Sequence, residues 1–160
     1  MSEQQEFVYV IYIATTADKL WEALTSGAFT YQYWGGRRIE SDWRVGSAVR
    51  HVKDDGGLDW RGEVLAADPP RLLSYTFEVV DTQECGLEGE PGAEAAAQEP
   101  ASRVTFEIQP FMGQVKLTVT HDRFEPGSKV LAGVSQGWPA ILSSLKSLLE
   151  RGEALFPDWR

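Results

Sequence analysis

A chain of 160 residues has room for one domain with a substantial core and little room for a second. With 42% hydrophobic and 24% charged residues its composition is globular. A net charge of −9 argues against a phosphate-backbone or anionic-membrane partner, because both need clustered Lys and Arg.

The basic run Gly35-Gly36-Arg37-Arg38 is too short to reverse that balance. No apolar run reaches the roughly 18 residues of a membrane helix. The start, MSEQQEF, lacks the basic residues and apolar stretch of a signal peptide. Cys85 is the single cysteine, so no intrachain disulfide forms, and a cytoplasmic protein is expected. Cys85 stands among carboxylates, which disfavour a reactive thiolate.

In chain order, residues 7–15 (FVYVIYIAT) are apolar, β-branched or aromatic almost throughout, which predicts a strand buried on both faces. Thr16 then caps a helix with Asp18 in its first turn, and Ala17, Leu20, Trp21 and Leu24 repeat on one face until Gly27 ends it. An aromatic segment, 28–36, predicts a further helical turn and a loop. From 37 to 124 the pattern is an antiparallel meander, with strands at 37–43, 47–53, 58–67, 71–80, 102–111 and 114–124. Asp54-Asp55-Gly56-Gly57, Asp68-Pro69-Pro70 and Met112-Gly113 supply the turns. Alternation places Leu73, Tyr75, Phe77 and Val79 on one face, as it does Val104, Phe106 and Ile108. Val115, Leu117, Val119 and His121 likewise share a face.

Residues 81–101 break the pattern. They are acidic and rich in Ala, Gly and Pro, which predicts a long, mobile, solvated loop. The chain closes on a helix expected to start at Ser135 as N-cap, with Pro139 in its first turn. Its apolar stripe runs through Trp138, Ile141, Leu142, Leu145, Leu148 and Leu149, with Ser143, Ser144 and Ser147 outside it and Gly152 as terminator. An antiparallel sheet with one long amphipathic helix lying across it satisfies every apolar face, an α+β fold.

Four stretches carry a family resemblance: ATTADKLWEALTS after the first strand, LDWRGEVLAADPPRLLSYTF, VKLTVTHDRF and GWPAILSSLKSLLE. In these, with Gly62, the Pro69-Pro70 turn, His121 and Gly137-Trp138 at habitual positions, the chain resembles the activator-of-Hsp90-ATPase homologues of the START-like, or SRPBCC, superfamily. The resemblance implies the helix-grip fold: a curved antiparallel sheet gripping the last helix, with an apolar cavity between.

The inward aromatics Trp60, Tyr75, Phe77, Phe106 and Trp138, joined by Trp43, line a pocket or simply fill a core; both use the same residue types. Trp34, Leu117 and Leu142 complete the expected lining. His121 points inward by parity, as a general base or ligand-orienting group, or else as a satisfied core histidine; no carboxylate partner is dictated by the sequence. His51 shares parity with Val49 and reaches the cavity mouth, or is an exposed strand histidine. Asp54, Asp55 and Asp59 read as turn formers. Arg37, Arg38 and Arg44 read as solvated charges rather than a rim for an anionic ligand. Two histidines and one cysteine do not assemble a metal site. No phosphate loop, dinucleotide fingerprint or nucleophile elbow occurs, so no cofactor is expected.

Three functions follow. The first is binding of a small hydrophobic or amphipathic molecule, lipid-like or aromatic, in an internal cavity. The second, implied by the resemblance, is a protein-interaction module for a chaperone or other protein, although the chain lacks the additional N-terminal domain of the eukaryotic co-chaperones. The third is a cyclase-like enzyme using His121. Nucleic acid and membrane are not expected partners; a monomer or homodimer is, since an open sheet edge invites pairing.

Overall fold

The computed structural model describes residues 5–80 and 99–156. In chain order the elements are β1 (Gln5–Ile13), α1 (Ala17–Thr25), α2 (Gly27–Tyr33), β2 (Arg38–Glu40), β3 (Ala48–Val52) and β4 (Leu58–Asp68). They continue with β5 (Leu72–Val79), β6 (Ser102–Phe111), β7 (Gln114–Phe124) and α3 (Lys129–Arg151). All seven strands form one antiparallel sheet in the order β1-β7-β6-β5-β4-β3-β2. It curves around α3 in the helix-grip arrangement, and α1 and α2 close the remaining side.

The inner face of the sheet and the stripe of α3 share one core, with Leu73, Val104, Leu117 and Val119 from the sheet against Leu142 and Leu145 from the helix. Thr16 caps α1 as expected, its side chain accepting from the Lys19 amide at 3.2 Å. The last half of α3 is tied to the end of β1. Lys146 Nζ donates to the Tyr12 carbonyl at 2.7 Å, and the Ala14 amide donates to Glu150 Oε2 at 2.7 Å. Gly62 lies where a Cβ would stand 1.8 Å from the Thr76 carbonyl oxygen, so only glycine lets β4 approach β5 at that point.

The structure corrects several expectations. β1 is not buried on both faces. It is an edge strand: Phe7, Tyr9 and Ile11 pack inward, while Val8, Val10 and Tyr12 are about half exposed on the outer face. The strand expected at 37–43 stops at Glu40, because Trp43 has φ 55° and cannot continue an extended chain. Gly27 opens α2 rather than ending α1.

The closing helix begins at Lys129, not after Ser135. Two acceptors make the earlier start. Ser128 Oγ accepts from the Leu131 amide at 3.0 Å, and Glu99 Oε2 accepts from the Lys129 and Val130 amides at 2.8 and 3.3 Å. Pro139 is therefore interior, where it offers no N–H to the Ser135 carbonyl. Ser144 and Ser147, expected outside the apolar stripe, are buried by the returning tail. The Leu155 amide donates to Ser144 Oγ at 3.2 Å, and Ser147 Oγ donates to the Glu153 carbonyl at 2.6 Å. Gly152, at φ 81°, ends the helix as expected. Most of the acidic stretch 81–101, with Cys85, lies outside the described residues.

Candidate functional site

The site grows from the alternation of β3, β5, β6 and β7, which sends one aromatic or histidine after another toward the N-terminal half of α3. Trp138 descends from α3 into their midst and is buried. Its ring lies 5.3 Å from Trp34, 5.9 Å from Phe106, 6.0 Å from His121 and 6.4 Å from Phe77, centroid to centroid. Trp34, at the C-terminus of α2, closes the wall from the other side. Trp60 lies tilted against Phe77 at 4.2 Å, and Trp43 leans on Tyr75 at 5.9 Å. The turn at Trp43 is held by its own indole, whose Nε1 donates to the Thr25 carbonyl at 2.8 Å. Leu117 and Leu142 lie in the same core, both fully buried. The structure thus brings all eleven expected site residues to one side of the sheet.

The two histidines differ sharply. His121 is fully buried and fully partnered. Trp138 Nε1 donates to its Nδ1 at 3.0 Å. An indole N–H only donates, so Nδ1 is an acceptor and the neutral ring carries its proton on Nε2. Nε2 lies 2.7 Å from Ser102 Oγ, which donates onward to the Phe77 carbonyl at 3.1 Å. Burial pushes the His121 pKa down to about 3, against a weaker upward pull from Asp122. With its one lone pair engaged by Trp138, the imidazole has none free to take a proton. This arrangement is that of a core histidine, not a general base.

His51, for which an exposed strand position was also open, is 1% exposed. Trp34 and Phe77 meet it edge-on at 5.3 and 5.1 Å, which seals it from water. Its Nδ1 has no hydrogen-bond partner among the described residues. Burial first, and the nearby charge of Arg37 second, push its pKa down to about 3. Tyr75 is raised above the ordinary tyrosine range by burial alone.

Arg37 and Asp59 also depart from expectation. Asp59 is not an ordinary turn carboxylate but is 3% exposed, and Arg37 is not a solvated charge. Arg37 Nε donates to Asp59 Oδ2 at 2.8 Å, and its Nη1 donates to the Gly35 carbonyl at 2.6 Å. Asp59 Oδ1 has no partner among the described residues, and burial raises the Asp59 pKa despite the hydrogen bond and charge of Arg37. Arg38, by contrast, rests over the exposed side of the Tyr31 ring, 4.3 Å from its centroid. Sequence reasoning missed the Arg37–Asp59 pair and Ser102. The pairs form across strands and loops, and no spacing within the chain announces them. Among the described residues, no cluster of His, Cys, Asp and Glu is arranged to hold a metal ion, and no helix is long and apolar enough to cross a membrane.

Comparison with known proteins places this geometry. A protein of Mesorhizobium loti is 26% identical, with a TM-score of 0.71 over 93% of this chain and 99% of its own. The Aha1 dimer from Colwellia psychrerythraea is 19% identical, with a TM-score of 0.70 over 94% of this chain and 99% of its own. An HSP90 activator from Plasmodium falciparum is 20% identical, with a TM-score of 0.68 over 90% of this chain and 95% of its own. No curated protein matches the sequence. The model for activator of Hsp90 ATPase homolog 1-like proteins matches residues 14–150, nearly the whole described chain. The chain belongs to that family.

Proposed function

We propose that this protein binds a small hydrophobic or amphipathic molecule between the sheet and the N-terminal half of α3. The observation that carries the reading is His51: a neutral imidazole walled by Trp34, Tyr75 and Phe77, with Nδ1 sealed from water and unpartnered. A buried polar atom without a partner costs about 1–3 kcal/mol, and such an atom in a native fold calls for an explanation. A ligand with an apolar body and one polar group supplies that partner. Trp43 and Trp60, half-buried beside Tyr75 and Phe77, are the side chains through which the ligand enters. A melting-temperature screen across fatty acids, sterols and aromatic compounds tests this. A binder at 100 times its Kd stabilises the fold by about 2.7 kcal/mol. The expected result is an upward shift for at least one aromatic or lipid-like class, diminished in Trp34→Ala. A flat screen contradicts the reading.

A second reading, a protein-interaction module, is favoured by the outer face of β1. Val8, Val10 and Tyr12 are exposed there, and Phe111 adds its ring 5.2 Å from Tyr12. The likeness to an HSP90 activator gives the partner class to try first. Surface plasmon resonance against Hsp90 is expected to show binding that Val10→Asp abolishes. Absence of binding by the unaltered protein contradicts this second reading.

A further inference from the structure

We infer that the site selects ligands whose polar head is a hydroxyl, of the phenol or alcohol class, over ligands headed by a carboxylate or an ether. The inference deepens the ligand-binding reading and rests on it. Two buried side-chain atoms among the described residues have no hydrogen-bond partner, His51 Nδ1 and Asp59 Oδ1. They belong to adjacent strands: His51 of β3 pairs with Trp60 of β4, and because Val52 pairs with Leu58, Asp59 is the extra residue of a bulge beside that pair, where strict alternation of faces is broken. Arg37 links them, since its guanidinium holds Asp59 Oδ2 and its charge is felt at His51.

The chemistry of these two atoms defines the head group. A carboxylate oxygen only accepts, so whatever meets Asp59 Oδ1 must donate. A neutral imidazole nitrogen accepts or donates according to tautomer. A hydroxyl donates its one hydrogen to Asp59 Oδ1 and accepts, through an oxygen lone pair, from His51 Nδ1–H in the tautomer protonated there. An ether has nothing to donate. A carboxylate head brings a second anion to Asp59, whose own guanidinium partner is already engaged, and the repulsion is strong in a buried setting. Sites built to hydrogen-bond a hydroxyl reject analogues that lack it, because their own polar atoms are then left unpaired.

Isothermal titration calorimetry with naphthol, methoxynaphthalene and naphthoic acid, which share one aromatic body, tests the inference at neutral pH. Naphthol is expected to bind at least about 10-fold tighter than either analogue. Asp59→Asn keeps an amide oxygen for Arg37 and replaces the free acceptor by a donor, so it is expected to erase the preference of naphthol over methoxynaphthalene. Equal or tighter binding of naphthoic acid, or of methoxynaphthalene, overturns the hydroxyl assignment while leaving the ligand-binding reading in place. A preference that survives Asp59→Asn overturns the role given to Asp59. If none of the three probes binds, and none raises the melting temperature, the hydroxyl inference falls together with the aromatic arm of the ligand-binding reading. His51 and Asp59 are then satisfied by enclosed water.

Discussion

At the scale of single residues, the structural role of His121 has a direct consequence. His121→Ala leaves the Trp138 indole N–H without an acceptor and Ser102 without its imidazole partner, both in the core. The expected cost is about 3 kcal/mol, read as a lowered denaturation midpoint. Unchanged stability contradicts the account and returns His121 to the list of functional groups. Gly62→Ala is expected to cost about 3 kcal/mol as well, since its Cβ meets the rigid Thr76 backbone rather than a side chain that yields. The alternation of β7 made the inward direction of His121 legible in the sequence. Its partners were not, because they come from β6 and α3, which no local pattern brings together. His51 shows the same limit. Parity gave its face, but its burial depends on Trp34, which arrives from the end of α2.

At the scale of elements, the ends of helices and the edges of sheets were the least legible. The 3.6-residue stripe of α3 was plain from Trp138 onward, yet the helix starts ten residues before Pro139, at Lys129. Local chemistry favoured a start near the proline. The true start is set by Glu99, some 30 residues away in the chain, whose carboxylate meets the first amides of α3 where the helix dipole is positive. Glu99→Gln is expected to destabilise the protein by about 1 kcal/mol. Amide hydrogen exchange should quicken first at Lys129 and Val130, the two amides that Glu99 accepts from; exchange unchanged there contradicts the assignment. The strand β1 reads as fully apolar, and the reason it is only half buried is topological. It stands at the sheet edge, where the inner face meets α3 and the outer face, with the Phe111 ring beside Tyr12, stays about half exposed.

At the scale of the whole molecule, two buried neutral histidines couple folding to pH. Each takes up a proton near pH 6.5 when unfolded but only near 3 in the folded protein. Between those values unfolding binds protons, so stability falls as pH drops, by up to about 1.4 kcal/mol per pH unit for each histidine. Asp59 works in the opposite sense, since its raised pKa makes the folded protein the better proton acceptor in the carboxylate range. Denaturant midpoints measured from pH 7 down to 4 are expected to fall steadily, and less steeply in His51→Phe. Equal slopes in the two proteins contradict the burial of a neutral His51.

The proposed function requires that a small molecule bind between the sheet and α3. Native mass spectrometry of the protein purified from its own host, before and after mild organic extraction, tests it most directly. A discrete adduct that extraction removes, with the mass of an apolar or amphipathic compound, is expected. A bare protein mass, joined to a flat melting-temperature screen, contradicts it. Trp138 then descends into a filled core, and the exposed face of β1 becomes the place to look for function.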